Sequence, residues 1–185
     1  MKDIIKREER RLKHLTKLGY DMKRSREFIF EKAGLDHGSI LEVGTGKGHF
    51  ALLLAGKGFS LTSIDLDPAV QRVAREFLRA DHLQRKVRLK KMDAEKLDFS
   101  SRSFDQVVSV NFMHHAEHPQ KCLAEMTRVA RTRIVIADIN KKGELILGRM
   151  HKKEGHHHPR SGISFQQMRS FLTGKGFSVR TFKGF

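Results

Sequence analysis

The sequence predicts an α/β fold: a mostly parallel sheet in a three-layer arrangement, with helices on both faces. Two observations carry this. Between residues 36 and 140, short apolar runs alternate with stretches of helical periodicity, and that alternation implies parallel strands joined by crossover helices. The second is the segment Gly38 to Phe50. Ile40-Leu41-Glu42-Val43 is an apolar run of strand length, Gly44, Gly46 and Gly48 follow at every second position, and His49 to Ala55 continues as a helix. A strand, a glycine turn and a helix start form a cradle for a small ligand. Amides at the helix start attract a negative group, and glycine lets the ligand approach the main chain. The G-x-G-x-G spacing departs from the G-x-G-x-x-G dinucleotide fingerprint, which argues against NAD or FAD.

The elements follow in order. Residues 3–18 predict a basic helix, with Ile5, Leu12, Leu15 and Leu18 at helical spacing and Gly19 ending it. Residues 22–34 predict a second helix. Strands are expected at 39–43, 59–65, 87–92, 105–111 and 132–138, and helices at 48–56, 68–80 and 118–130. Asp67-Pro68 places a capping carboxylate before a proline at the first helical position. Cys122, Leu123, Met126, Val129 and Ala130 mark the inner face of the 118–130 helix. Lys141 to Gly162 is polar and His-rich, a loop around a short helix at 143–150. Ser164 and Gln167 form a capping box for a helix at 165–174. Phe177 to Phe182 completes the pattern as a last strand. Ligands of such a sheet bind outside the carboxyl ends of its strands, where the strand order switches.

A chain of 185 residues suits one domain with a full core. Its parts are a basic N-terminal helical segment (1–35), a ligand-binding core (36–140) and a basic C-terminal part (141–185). No apolar run reaches the roughly 20 residues needed to cross a bilayer, so no membrane partner is expected. The N-terminus is too charged for a signal peptide, which makes the cytoplasm the default location. The lone Cys122 excludes an internal disulfide and reads as a small buried apolar residue. The net charge is +16. Residues 1–34 carry 11 Lys/Arg against 6 Asp/Glu, and residues 141–185 carry 10 against 2. Such basic ends suit an acidic acceptor or nucleic acid as well as a plain solvated surface.

Three positions beyond the glycines fall where a nucleoside ligand needs them. Asp65 ends the second strand, and its carboxylate there can accept both ribose hydroxyls. Helix capping is already supplied by Asp67. Asp93-Ala94 follows the third strand, where a carboxylate can accept from the exocyclic amine of adenine; taken alone, a surface turn aspartate is the competing reading. Asn111 ends the fourth strand and faces the reactive part of the ligand.

With these in place the chain resembles the class I S-adenosylmethionine-dependent methyltransferases, over about Ile40 to Asn140. The motifs that carry the resemblance are Leu41 to Gly48, Ser63 to Pro68, Met92 to Leu97, Val108 to His115 and Leu123 to Val129. The resemblance implies a Rossmann-like methyltransferase fold with S-adenosylmethionine as cofactor. It implies that Glu42, Gly44, Thr45, Gly46 and Gly48 shape the cradle for the methionine part. Asp65 would bind the ribose, with Leu66 beside the adenine, and Asp93 and Ala94 would bind the adenine edge. Asn111 would lie beside the sulfonium. Tyr20 belongs to a segment that in such enzymes often closes over the cofactor, where it could touch the methionine carboxylate; a core or surface tyrosine is the alternative.

The sulfonium is already an activated methyl donor, so the protein mainly aligns a nucleophile. A base is needed only if that nucleophile loses a proton. His114 and His115 are the nearest candidates, with His118 close in sequence; a structural histidine pair is the competing reading. His151, Glu154, His156, His157 and His158 match no zinc spacing, and a polar loop explains them, so no metal is expected. Many relatives finish with two further strands. Here only one is expected, which leaves an edge that a second subunit in a homodimer, or the chain's own ends, would cover. The acceptor expected is a small molecule. RNA or another polyanion is the alternative, weakened by the absence of an Asn-Pro-Pro-Tyr-like motif after Asn111, and a non-enzymatic binding protein is the third reading.

Overall fold

The computed structural model describes residues 2–36, 38–140, 143–148 and 163–184. Helices α1 (Lys2–Lys17) and α2 (Met22–Ala33) come first. Then β1 (Ile40–Val43), α3 (His49–Gly56), β2 (Leu61–Asp65), α4 (Pro68–Ala80), β3 (Val87–Lys91), β4 (Phe104–Val110), α5 (Pro119–Val129) and β5 (Ala130–Ala137) alternate, with a 3-10 turn at Met113–His115. Residues 143–148 are helical (α6), and α7 spans Phe165–Gly174.

The strands form one sheet in the order β3-β2-β1-β4-β5, every neighbouring pair parallel. Strand order reverses between β1 and β4, so the crevice for a ligand lies where Val43 and Val110 leave the sheet. Strand period sorts the core. Leu41, Val43 and Val107 face α5 and α7, where Leu123, Met126 and Met168 are buried. Ile40 and Val108 face the other way onto Phe50, Ala51 and Leu54 of α3, Leu78 of α4, and Ile29 and Phe30 of α2. These are the three expected layers.

Local rules explain the ends. Asp67 caps α4 by accepting from the Ala69 amide at 2.7 Å, with Pro68 at the first position. Ser164 and Gln167 form the predicted capping box. Asp21 caps α2 and Gly34 ends it in a left-handed conformation. Arg128 of the Leu123–Val129 motif binds the Leu97 and Phe99 carbonyls, tying α5 to the loop after β3. That motif is structural.

The predicted last strand is corrected. Residues 177–184 lie outside the sheet. Alternating apolar residues give strand propensity, but a strand also needs a partner edge. Here the segment packs instead on α2, with Lys32 Nζ 5.9 Å from the Phe182 ring centre and Gly184 against Phe28. The polar His-rich loop expected at 151–158 lies outside the described residues.

A second, smaller cluster sits on the carboxyl-end rim of the sheet. Leu12 and Leu15 of α1, Tyr20, Met22, Ile139, and Ile146 and Leu147 of α6 pack together there. The N-terminal helices are thus a cap over the ligand crevice.

Candidate functional site

Walking the rim in the order of the strands, the chain places Asp93, Asp65, the Gly44–Gly48 loop, Asn111 and Asp138 after β3, β2, β1, β4 and β5 respectively. The topology alone brings four of the sequence-predicted positions into one row.

The glycine loop is held from β2. The Gly44 and Thr45 amides both donate to the Ile64 carbonyl, at 2.9 and 2.8 Å. Two of its glycines are required. Gly44 has φ +88° and lies so close to Phe112 that a Cβ would come within 2.7 Å of the ring. Gly48 has φ +80° and abuts Ala74 of α4, at 2.6 Å from an added Cβ. At Gly46 an added Cβ meets nothing within 4 Å, so this glycine faces open space on the ligand side. Gly48 has no side chain to cap α3; the Ala51 amide is engaged by the Glu42 carboxyl, and the amides before it can meet a ligand.

Asp65 does two things. Its Oδ2 accepts from the Gly46 amide at 2.7 Å and its Oδ1 from the Asp67 amide at 3.0 Å. The carboxylate therefore shapes the loop, while each oxygen keeps a further lone pair for a ribose hydroxyl. Leu66 beside it is 60% exposed, an apolar surface suited to a flat base. Asp93 is exposed and uses Oδ1 to accept from the Glu95 amide at 2.8 Å, leaving Oδ2 to a ligand. Ala94 is buried beneath it.

Glu42 is buried at 1% exposure. Ser63 donates to Glu42 Oε2, and the Ser63 and Thr45 hydroxyls are 2.6 Å apart. Thr45 is thus a buried link between the loop and Glu42. Burial pushes the Glu42 carboxyl up to about 8, with Asp65 adding to the rise against the Ser63 hydrogen bond.

The cap contributes charges that sequence reasoning missed. Glu8 of α1 is 4% exposed and meets Lys47 at 2.5 Å, His49 Nε2 at 3.1 Å and Arg11 at 3.3 Å. Burial disfavours its charge, but the His49 and Lys47 hydrogen bonds outweigh it and hold the carboxyl at about 2. Burial lowers His49. Arg26 of α2 lies among Tyr20, Glu8 and Glu42, and burial draws its guanidinium down to about 10. Among the described residues it joins no ion pair; its one side-chain partner is Met22 Sδ at 3.8 Å. A charge-rich α1 reads as a solvated helix, and only the docked geometry shows that Glu8 points inward.

Tyr20 interacts with the Asn111 and Ser25 side chains, near Arg26 and Asp138, and burial raises its hydroxyl. Asn111 takes a left-handed φ of +55°, with its amide on the Ala137 carbonyl at 2.8 Å. The histidines separate. His114 Nδ1 bonds Asp138 Oδ1, and Asp138 Oδ2 accepts from the His114 amide at 2.9 Å. The His115 ring lies 3.9 Å from the His114 ring, centre to centre, and so supports His114. His118 is on Glu95 at 3.0 Å, at the start of α5, and has a structural place there. Asp138 was not singled out in the sequence; a carboxylate just past a fifth strand was the available signal. Cys122 is buried and its thiol is pushed up to about 12, first by burial and then by Glu95 and Asp93, which makes it inert.

A family described as "Methyltransferase domain" matches residues 41–136, just over half of the chain. A phosphatidylethanolamine N-methyltransferase of Cereibacter sphaeroides is 35% identical over 94 residues, 51% of this chain and 46% of that protein. A ubiquinone/menaquinone biosynthesis C-methyltransferase of Citrifermentans bemidjiense is 30% identical over 135 residues, 70% of this chain and 57% of that protein. The chain thus spans about half the length of these curated relatives. Among solved structures, a SAM-dependent methyltransferase of Thermotoga maritima matches with a TM-score of 0.68 at 19% identity, covering 97% of this chain and 82% of that one; this supports the fold.

The cofactor of that family fits the residues present. Arg26 is half-buried and joins no ion pair among the described residues, so a methionine carboxylate beside it and Tyr20 would give it one. The free space at Gly46, the exposed Leu66 and the further lone pairs of Asp65 and Asp93 would suit the nucleoside. Matched motifs, strand order and the cradle agree: the chain belongs to the class I S-adenosylmethionine-dependent methyltransferases.

Proposed function

We propose that this chain transfers a methyl group from S-adenosylmethionine to a small-molecule acceptor that loses a proton in the reaction. The observation that carries this is the His114–Asp138 pair, set on the cofactor rim after β4 and β5 and beside Tyr20 and Asn111. When bound, the cofactor supplies a methyl group already activated on a sulfonium. The chain's residues position and take a proton. Asp93, Ala94 and Leu66 receive the adenine, Asp65 the ribose, and Glu42, the Gly44–Gly48 loop, Arg26 and Tyr20 the amino-acid part. Asp138 holds Nδ1 of His114, so Nε2 is the ring nitrogen left to accept the proton. His115 keeps the ring in place. The names of the relatives, which specify a phospholipid amine and quinone biosynthesis, support a small organic acceptor.

Calorimetry with S-adenosylmethionine tests the donor half: Asp65→Ala is expected to weaken binding about tenfold or more, roughly one lost charge-assisted hydrogen bond. Transfer of a tritiated methyl group to a demethylated quinol or to phosphatidylethanolamine tests the acceptor half. His114→Gln should lower kcat about 10²- to 10⁴-fold at unchanged cofactor affinity. A chain that does not bind the cofactor, or a His114→Gln variant at full kcat, contradicts the reading.

A further inference from the structure

We propose that the outer face of α1, together with the exposed leucines Leu18 and Leu145, docks on an anionic lipid bilayer. The inward stripe of α1 is Glu8, Leu12 and Leu15. Its outward face carries Lys6, Arg7, Arg10, Lys13 and Lys17, all exposed, against the exposed acids Asp3 and Glu9. Lys6, Lys13 and Lys17 stand outside every ion pair found among the described residues. Solvation accounts for such a face by itself. It does not account for Leu18, 45% exposed directly after Lys17, or for Leu145, 67% exposed.

Single exposed leucines are ordinary on a protein surface. These two belong to elements that meet in one place. Leu12 and Leu15 of α1 pack with Ile146 and Leu147 of α6, in the cluster that also holds Tyr20 and Ile139. Leu18 directly follows α1 and Leu145 lies on α6, so each leucine sits on or next to an element that contributes to this cluster. A bilayer of anionic lipid satisfies both features at once: headgroups take the lysines and arginines, and the hydrocarbon boundary takes the leucines. A nucleic acid would satisfy only the first. Single-stranded RNA is gripped through aromatic stacking, whereas the exposed apolar residues here are aliphatic and Tyr20 is turned inward onto Asn111.

Docking of this kind lets an amphiphilic acceptor reach His114 from the lipid surface. That consequence rests on the acceptor side assigned above; the binding itself does not. The attachment proposed is peripheral, through the surface of α1; no helix among the described residues is long and apolar enough to cross a membrane.

Flotation with vesicles tests it, using phosphatidylcholine alone and phosphatidylcholine mixed with phosphatidylglycerol. The full chain is expected to float with the anionic vesicles at low salt and to be released at about 1 M salt, where the screening length is about 3 Å. Lys6→Gln/Lys13→Gln/Lys17→Gln is expected to lower the bound fraction about tenfold. Leu18→Asn/Leu145→Asn, checked by melting for an intact fold, is expected to lower it as well. Equal flotation with both vesicle types overturns the proposal. So does a leucine variant that binds like the unmodified chain, or displacement from the vesicles by total RNA. Cofactor calorimetry in free solution separates the two readings. A chain that binds cofactor but no vesicles loses only the membrane surface, and one that floats but binds no cofactor loses only the enzyme reading.

Discussion

Glu42 is where burial and chemistry oppose each other most directly. Its carboxyl sits at about 8 because the interior disfavours its charge. A folded-state value raised above the unfolded one contributes stability that is complete below about 4.5 and is lost as pH rises through about 8. The melting temperature is therefore expected to fall across that window, and Glu42→Gln should flatten the fall while keeping the Ser63 hydrogen bond. A variant with the same slope would place the titration elsewhere. The glycines give a second contrast, readable by urea unfolding. Gly44→Ala combines a positive φ with a clash on Phe112 and is expected to cost about 2–4 kcal/mol. Gly46→Ala has φ +50° and free space, so about 1 kcal/mol is expected, with the greater effect on cofactor affinity. At this scale Asp65 and Gly44 were legible because strand, turn and carboxylate follow one another in the chain. Arg26 and Asp138 were not, because their roles come from partners far away in sequence.

Among the elements, α1 is held to the core by its contact with the glycine loop. Glu8 fastens the helix to Lys47 and His49, so the cap closes over the crevice through a buried carboxylate. Glu8→Ala removes that anchor and is expected to destabilise by roughly 1–3 kcal/mol, discounted for the partly exposed Lys47. Amide hydrogen exchange should show the loss concentrated in α1; uniform loss of protection would argue against a separate cap. The sign with pH is opposite to that of Glu42. A depressed carboxyl contributes stability above about 4.5 and loses it as pH falls toward about 2, so α1 should open first in acid. Element boundaries in the α/β core were legible to within two residues, since capping and periodicity are local. The segment after α7 was not, because pairing is decided by which surface the chain reaches first, and α2 offers Phe28 and Lys32.

At the scale of the whole molecule, a net charge of +16 on 185 residues makes self-repulsion a general term. Screening relieves it, so the melting temperature is expected to rise by a few degrees as salt is raised from about 10 to 150 mM; a fall would mean that ion pairs such as Glu8–Lys47 outweigh the repulsion. The sequence by itself determined the layered architecture, the glycine cradle and the donor half of the chemistry. Period and spacing are properties of consecutive residues, and the parallel order then lines up the strand ends. Only the tertiary structure decided which carboxylate each of His49, His114 and His118 meets, that Arg26 is half-buried outside every ion pair found among the described residues, and which leucines remain exposed beside the cap. Each of those depends on side chains from separate elements meeting, and on the loss of water around them, which no local pattern records.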